Sequence, residues 1–162
     1  YTYTGAIEGL IAPEACDCLK GSEGGEVVDR VDIEFTLYTG EGQSTAFDPG
    51  VGYCAMDLID AEGKNYIRFE FNESGAYPVS GKTYTFSPSD TSYNFGTLSG
   101  NGVYVGLDGW VQTGLADYGG IVPSSGTIKV SSVEGNVYTF VLDFVLPDGS
   151  KFAGTYVGAL PF

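Results

Sequence analysis

Aromatic and polar side chains that can hold a sugar occur together in the glycine-rich stretch of residues 95–126. Sugar rings stack their C–H faces on aromatic side chains, while carboxylate and amide groups bond to the sugar hydroxyls. The candidate ligand-binding residues are Trp110, Tyr104, Tyr118, Asp108 and Gln112. The alternative is that Trp110 is buried in the core, which is the commoner fate of aromatic side chains in β proteins.

The chain contains no histidine. This excludes Ser-His-Asp and Cys-His catalysis, and it excludes metal sites built on imidazole. The sequence also lacks the phosphate-binding loop, the dinucleotide-binding fingerprint and the EF-hand calcium loop. Calcium held by the loop carboxylates Asp48, Asp108 and Asp117 is an option that the sequence leaves open. We therefore predict a protein that is not an enzyme, with no catalytic residues, no cofactor and no metal.

Paired carboxylates are the arrangement that keeps hydrolysis open. Asp32 and Glu34 project from one strand face, and the outer face of the neighbouring sheet can add Asp57 and Glu70. Alternate residues on a strand are about 7 Å apart, which is near the carboxylate spacing of inverting glycosidases. An acidic chain also produces such pairs as an ordinary solvated surface. A glycoside hydrolase is therefore the second alternative function.

Three cysteines cannot all pair within one chain. Cys16 and Cys18 are separated by one residue, and in an extended segment their Cα atoms lie about 7 Å apart, at the far edge of disulfide geometry. A bridge from Cys54 to one of them fits better. Cys54 also falls on the inward face of its strand, which favours a small buried thiol instead. Three thiols without histidine do not predict a zinc site.

Acidic residues dominate the charge, since 21 Asp and Glu against 7 Lys and Arg give a net charge of -14. Such a surface repels phosphate backbones and anionic lipids, so we expect neither nucleic acid nor a membrane surface as a partner. No apolar run reaches the roughly 18 residues of a membrane span, so insertion into a bilayer is not expected. No signal peptide is visible, and export would require that it has been removed.

Hydrophobic residues alternate with polar ones along three segments, which indicates strands with one buried face. The segments are Val31–Leu37, Tyr66–Phe71 and Val137–Leu146, and no segment of comparable length has helical periodicity. Further short extended runs bring the expected count to nine or ten strands, and the 25 glycines supply turns. We predict one all-β domain over residues 1–162, an antiparallel β-sandwich, with a lipocalin-like closed barrel as the alternative.

The turn at Pro147-Asp148-Gly149 predicts a strand register, because opposed residues of an antiparallel hairpin point to the same side of the sheet. A three-residue loop places Phe152 opposite Phe144 and Tyr156 opposite Phe140. It also places Pro147 in a type I turn and Gly149 at the left-handed position. The backbone chemistry and the packing of four aromatic side chains therefore agree.

Two further turns give registers in the same way. A three-residue Val133-Glu134-Gly135 loop pairs Val130 with Tyr138 and Ile128 with Phe140. The turn at Glu62-Gly63 gives the pairs Cys54 with Phe71, Met56 with Phe69, Leu58 with Ile67, and Asp57 with Arg68 on the outer face.

Closely spaced hairpin motifs fill the last third of the chain. They are Ser125–Ser131, Gly135–Phe140, Asp148–Lys151 and Gly154–Gly158, with Tyr77–Thr85 upstream. This pattern resembles one that is common in secreted lipoproteins of gut Bacteroidetes, and the resemblance covers roughly residues 50 to 160. It implies an exported all-β domain at the outer-membrane surface or in the periplasm, anchored through a lipidated Cys upstream of residue 1. It implies glycan capture or surface adhesion, and it implies no particular site residues.

We therefore predict a non-catalytic domain of the cell surface or periplasm that binds carbohydrate. The first alternative is an adhesion or structural protein of the cell surface, in which exposed strand edges pair between chains.

Overall fold

The computed structural model describes residues 33–43, 52–75, 77–90, 94–111 and 119–161. These residues form nine strands and no helix, so the all-β prediction is confirmed. The strands are β1 (Ile33–Gln43), β2 (Gly52–Asp60), β3 (Tyr66–Glu73), β4 (Thr83–Phe86), β5 (Thr97–Leu98), β6 (Tyr104–Gly106), β7 (Ser125–Glu134), β8 (Val137–Val145) and β9 (Lys151–Ala159). No helix long and apolar enough to cross a membrane occurs among the described residues.

Eight of these strands close into a barrel in the order β2, β1, β9, β8, β7, β4, β5 and β3. The sequence favoured two separate sheets and gave the closed barrel as the alternative. The barrel closes because the β2–β3 hairpin, paired from Gly52 with Glu73 to Ile59 with Tyr66, is joined to the sheet on both sides, β2 to β1 and β3 to β5. The pairs β1–β9 and β4–β5 are parallel, so the strand order is not that of an up-and-down barrel.

The predicted register of the β8–β9 hairpin is confirmed. Phe144 lies opposite Phe152, and Phe140 lies opposite Tyr156. The amide of Gly149 donates to the carbonyl oxygen of Leu146 at 2.9 Å, and Gly149 has a φ of 85°, as the three-residue loop requires. All four aromatic side chains are buried inside the barrel.

The register around Glu62-Gly63 is also confirmed. Cys54, Met56 and Leu58 lie opposite Phe71, Phe69 and Ile67, and all six are completely buried in the barrel. Asp57 lies opposite Arg68 on the outer face.

The predicted register of the β7–β8 hairpin is wrong. Val130 lies opposite Phe140 instead of Tyr138, and Ile128 lies opposite Leu142 instead of Phe140. The connection is the two-residue turn Gly135-Asn136, in which Gly135 has a φ of 65°. A bulge between Val130 and Ser132 then shifts the pairing by one residue and returns Val130 and Ile128 to the inside.

Cys54 is a buried free thiol, so the bridge to Cys16 or Cys18 that the sequence suggested is not formed. The strict alternation of β2 points its side chain into the barrel among apolar neighbours. Burial raises the pKa of the Cys54 thiol to about 12, which keeps it protonated and unreactive at neutral pH. Cys16 and Cys18 lie outside the described residues.

Candidate functional site

The inside of the barrel is filled by side chains. Phe140 lies near its centre, with ring centroids 5.5 Å from Phe71, 5.6 Å from Tyr156 and 6.2 Å from Phe69. Eight-stranded barrels are just wide enough for such side chains to fill them. Gly126 faces inward opposite Phe144, and a Cβ atom there would lie 2.0 Å from the Phe144 ring, so the packing uses even this space. A ligand must therefore bind on the outer surface.

The outer face of β3 carries a second layer of contacts. Its outward side chains are Tyr66, Arg68, Glu70 and Asn72, and each is buried or half-buried. Residues after Thr97 lie against this face: Tyr104 lies beside Arg68 in the β3–β6 register, and a Cβ atom on Gly102 would lie 2.5 Å from the Glu70 carboxylate. Residues 102–104 therefore shield part of the outer face of β3.

Asp57 is the centre of a polar cluster on the outer face of β2, beside β3. Its carboxylate accepts hydrogen bonds from the hydroxyls of Thr39 and Tyr66, and from Nη1 of Arg68 at 2.9 Å. The buried carboxylate of Asp57 on β2 thus accepts hydrogen bonds from side chains on β1 and β3. Burial, and next the bond to the carboxylate of Asp57, raises the pKa of Tyr66 well above its ordinary value, so the phenol keeps its proton.

Trp110 lies half-buried beside this cluster. Its indole meets the ring of Tyr66 edge to face, with centroids 5.8 Å apart and an interplanar angle of 72°. Cβ atoms on Gly106 and Gly120 would lie 2.7 and 2.8 Å from the indole, so these two glycines make the space that it occupies. The indole is thereby held against the protein, and the residue as a whole is half-buried.

The turn before Trp110 fixes its backbone. Asp108 and Gly109 have φ values of 56° and 84°, and the amide of Trp110 donates to the carbonyl oxygen of Leu107 at 3.1 Å. The amide of Gly109 donates to the carbonyl oxygen of Lys64, which joins this turn to the β2–β3 turn. Asp108 itself is exposed at the outside of the turn.

The β2–β3 turn adds polar groups on the same side of the barrel. Asp60 accepts hydrogen bonds from the amide of Lys64 at 2.7 Å and from the side-chain amide of Asn65 at 2.6 Å. Burial by itself raises the pKa of Asp60, but these bonds outweigh it and hold the pKa below its ordinary value. Asp60 is therefore a carboxylate at neutral pH.

The structure describes three of the five candidate ligand residues. Trp110 is half-buried, Asp108 is exposed, and Tyr104 is buried with its hydroxyl donating to the carbonyl oxygen of Asn101 at 2.7 Å. Trp110 and Tyr104 both lie close to Gly120, but Tyr104 is buried and offers little surface to a ligand. Tyr118 and Gln112 lie outside the described residues.

Sequence reasoning missed Tyr66, Gly106 and Gly120 as parts of this surface. The available signal was the outward position of Tyr66 in the alternation of β3, where a large aromatic side chain requires a cover. The two glycines gave no signal, because their value depends on the approach of a side chain from elsewhere in the chain.

A second polar cluster lies at the other end of β3. Glu73 is buried and accepts hydrogen bonds from Nζ of Lys82, from the hydroxyl of Tyr84 at 2.9 Å and from the amide of Ser74 at 3.0 Å. Tyr84 also accepts the amide of Val79 at 2.8 Å. Burial by itself raises the pKa of Glu73, but the bonds from Lys82, Ser74 and Tyr84 outweigh it and hold the pKa below its ordinary value. This cluster ties β3 to β4 where the barrel wall has few backbone bonds.

A depression of about 340 Å³ lies on the outer face of β1, β8 and β9. Its lining includes Glu34, Val141, Asp143, Lys151 and Thr155. These side chains are exposed, and Lys151 pairs with Asp143 at 3.6 Å. Ligand sites usually combine an apolar surface with a few fixed polar groups. This depression has both kinds of surface, but its charged side chains are exposed, whereas the indole of Trp110 is held by Tyr66.

The carboxylates proposed for catalysis or calcium are not gathered into one site by the described residues. Asp57 is engaged by three donors, and Glu70 is 3.8 Å from Arg68. Asp32, Asp48 and Asp117 lie outside the described residues. Among the residues that the structure describes, no group of three or more Asp, Glu, Cys or His side chains is placed to hold a metal ion.

No protein-family model, no curated protein and no solved structure matches the chain.

Proposed function

We propose that this protein is a non-catalytic carbohydrate-binding domain and that its glycan packs on the accessible part of Trp110. The observation that carries the proposal is the position of this indole. It is half-buried on the outside of a barrel whose interior is full, and it is fixed by Tyr66 and by the close approach of Gly106 and Gly120. A rigid, partly exposed aromatic ring is what a sugar face requires.

The charge around Trp110 favours a neutral glycan. Asp108 is exposed in the preceding turn, and Asp60 and Glu62 lie in the turn that contacts it through Gly109 and Lys64. The whole chain carries a net charge of -14. Uronic acids and sulfated sugars would be repelled by this surface, whereas hydroxyl groups can donate to its carboxylates.

Replacing Trp110 with alanine is expected to weaken glycan binding at least about thirtyfold, the usual loss when an aromatic residue that dominates a binding site is removed. The wild type is first screened on an array of neutral and acidic polysaccharides, and affinities for the best neutral polysaccharide are then measured by titration calorimetry. Trp110→Phe should retain part of the affinity, because it keeps an aromatic face.

Tyr38→Ala is the matched control, because Tyr38 is also an exposed aromatic residue but lies on β1. It should bind as the wild type does. Wild-type affinity in Trp110→Ala, or an equal loss in Tyr38→Ala, would contradict the assignment of the site.

We also propose export to the outer-membrane surface or periplasm with an upstream lipid anchor, which rests on the resemblance to secreted Bacteroidetes lipoproteins. Incorporation of a labelled fatty acid into the full-length protein, followed by fractionation, tests this. A protein recovered unlabelled from the cytoplasm would refute it.

A surface-adhesion protein is the second candidate function. It is favoured by three exposed valines on the outer face of the β8–β9 hairpin, Val137, Val141 and Val157. Self-association measured by sedimentation at high concentration would support it, and a strictly monomeric profile would count against it. For the glycoside hydrolase alternative, a variant lacking both Asp32 and Glu34 that kept any measured hydrolysis would eliminate those carboxylates.

A further inference from the structure

We infer that Tyr66, held in place by Asp57, is the positioning residue for Trp110. This inference rests on the proposed function, since it assigns the group that orients the glycan-binding indole. It adds two residues that do not themselves have to touch the glycan.

Tyr66 is well suited to hold another side chain because it is itself immobile. It is the first residue of β3 and points outward, yet only 1% of its surface is exposed. Its hydroxyl donates to the carboxylate of Asp57, which lies on the neighbouring strand β2. The ring is therefore fixed at its backbone end by the sheet and at its hydroxyl end by a buried carboxylate.

Asp57 is equally fixed. It is 7% exposed, and its second oxygen accepts hydrogen bonds from Thr39 on β1 and from Arg68 on β3. Charge-assisted hydrogen bonds of this kind are the stronger ones in proteins. The carboxylate therefore links three neighbouring strands to the hydroxyl of Tyr66.

The contact between Tyr66 and Trp110 sets the orientation of the indole. Gly106 and Gly120 leave room for a flat ring to approach the backbone, but glycine has no side chain that could favour one ring orientation over another. The edge-to-face contact with Tyr66, at 5.8 Å and 72°, favours one orientation of the indole. Fixing a binding group before the ligand arrives lowers the entropy cost of binding.

Tyr66→Leu tests the inference, because it fills much of the volume but removes both the aromatic edge and the hydroxyl. Two readouts are needed. The first is acrylamide quenching of Trp110, the only tryptophan in the chain, measured without ligand. The second is affinity for the neutral polysaccharide that the wild type binds best. We expect faster quenching and an affinity about fivefold weaker, which corresponds to the usual strength of an edge-to-face aromatic pair.

Tyr84→Phe is the matched control. Tyr84 is also a buried tyrosine that donates to a buried carboxylate, that of Glu73, but at the other end of β3. It should lose stability and leave both readouts unchanged.

Two further variants grade the effect. Tyr66→Phe keeps the ring, so it should retain most of the wild-type resistance to quenching and most of the affinity. Asp57→Asn should show a smaller change in the same direction as Tyr66→Leu.

The two readouts separate the two proposals. Wild-type quenching and affinity in a folded Tyr66→Leu would overturn the positioning inference while leaving glycan binding intact. If the wild type binds no polysaccharide, the proposed function fails, and the quenching comparison of Tyr66→Leu with Tyr84→Phe still decides whether Tyr66 orders Trp110. If Tyr66→Leu does not fold, the same comparison is made with Asp57→Asn, for which unchanged quenching would overturn the inference.

Discussion

Replacing Phe140 with alanine is expected to lower the free energy of unfolding by about 4 kcal/mol, within the range for deletion of a buried phenylalanine ring. Phe140 is completely buried and packs against the rings of Phe69 and Phe71 from β3 and of Tyr156 from β9. The cavity cannot collapse easily, because the closed wall fixes the positions of the surrounding strands. Guanidinium denaturation, followed by circular dichroism at low temperature, measures the change.

Val141→Ala is the control for Phe140→Ala. Val141 is the next residue on β8, points outward and is 40% exposed. Its replacement should change the free energy of unfolding by no more than about 0.5 kcal/mol. Equal effects of the two substitutions would mean that the inside and the outside of β8 have been assigned wrongly.

Replacing Glu73 with alanine is expected to cost about 3 kcal/mol of unfolding free energy, because it leaves the Tyr84 hydroxyl, the Ser74 amide and Lys82 without their partner. The effect is large because of where the cluster lies. The barrel wall between β4 and β3 is formed by the two-residue strand β5, which pairs with β4 at one position and with β3 at two. Side-chain bonds therefore carry much of this connection.

The Glu73 cluster also predicts a pH dependence. The pKa of Glu73 is lower in the folded protein than its ordinary value of 4.5, so the unfolded chain binds the proton more readily. The stabilisation from Glu73 is therefore complete above about pH 4.5 and is lost as the pH falls through the lower folded pKa. The difference in unfolding free energy between the wild type and Glu73→Gln should therefore shrink as the pH falls from about 4.5 through the folded pKa of Glu73.

Glu62→Gln controls for the general effect of losing a negative charge, since Glu62 pairs with Lys64 on the exposed β2–β3 turn. It should change stability little at any pH. A difference between the wild type and Glu73→Gln that stays constant from pH 6 to pH 3 would refute the assigned role of the Glu73 carboxylate.

Much of the barrel wall could be predicted from the sequence because one residue in two must be apolar on a strand with one buried face. That rule, with the turn chemistry of Pro147–Gly149, gives the β8–β9 register correctly down to the pair Phe140 and Tyr156. It also gives the opposition of Asp57 and Arg68 across β2 and β3.

The β7–β8 register could not be obtained in the same way. A bulge inserts one extra residue into a strand. Alternation alone does not reveal whether this extra residue belongs to the strand or to the loop. The observed bulge near Ser131 allows the short Gly135-Asn136 turn, whereas the prediction placed the extra residue in the loop. The closure of the sheet depends on pairings between distant strands, β1 with β9 and β4 with β7, and nothing local in these strands signals their choice of partners.

Glycine positions explain why the candidate site was found only in part. The sequence assigned glycine to turns, but Gly126 faces the ring of Phe144 within the barrel wall, and Gly106 and Gly120 accommodate the indole of Trp110. Such contacts join residues far apart in the chain. The composition of the glycine-rich stretch indicated Trp110, Tyr104 and Asp108, but it could not show that Tyr104 is buried while Trp110 keeps an accessible part.

Fluorescence of Trp110 during titration with the neutral polysaccharide that the wild type binds best is the most direct measurement of the central claim, because no other tryptophan contributes. A half-buried indole that a glycan covers should begin at an emission maximum between those of buried and free tryptophan. It should then move to shorter wavelength in a saturable manner, and the midpoint should match the affinity from calorimetry. An emission spectrum that stays unchanged at saturating polysaccharide would contradict the claim that the glycan packs on Trp110.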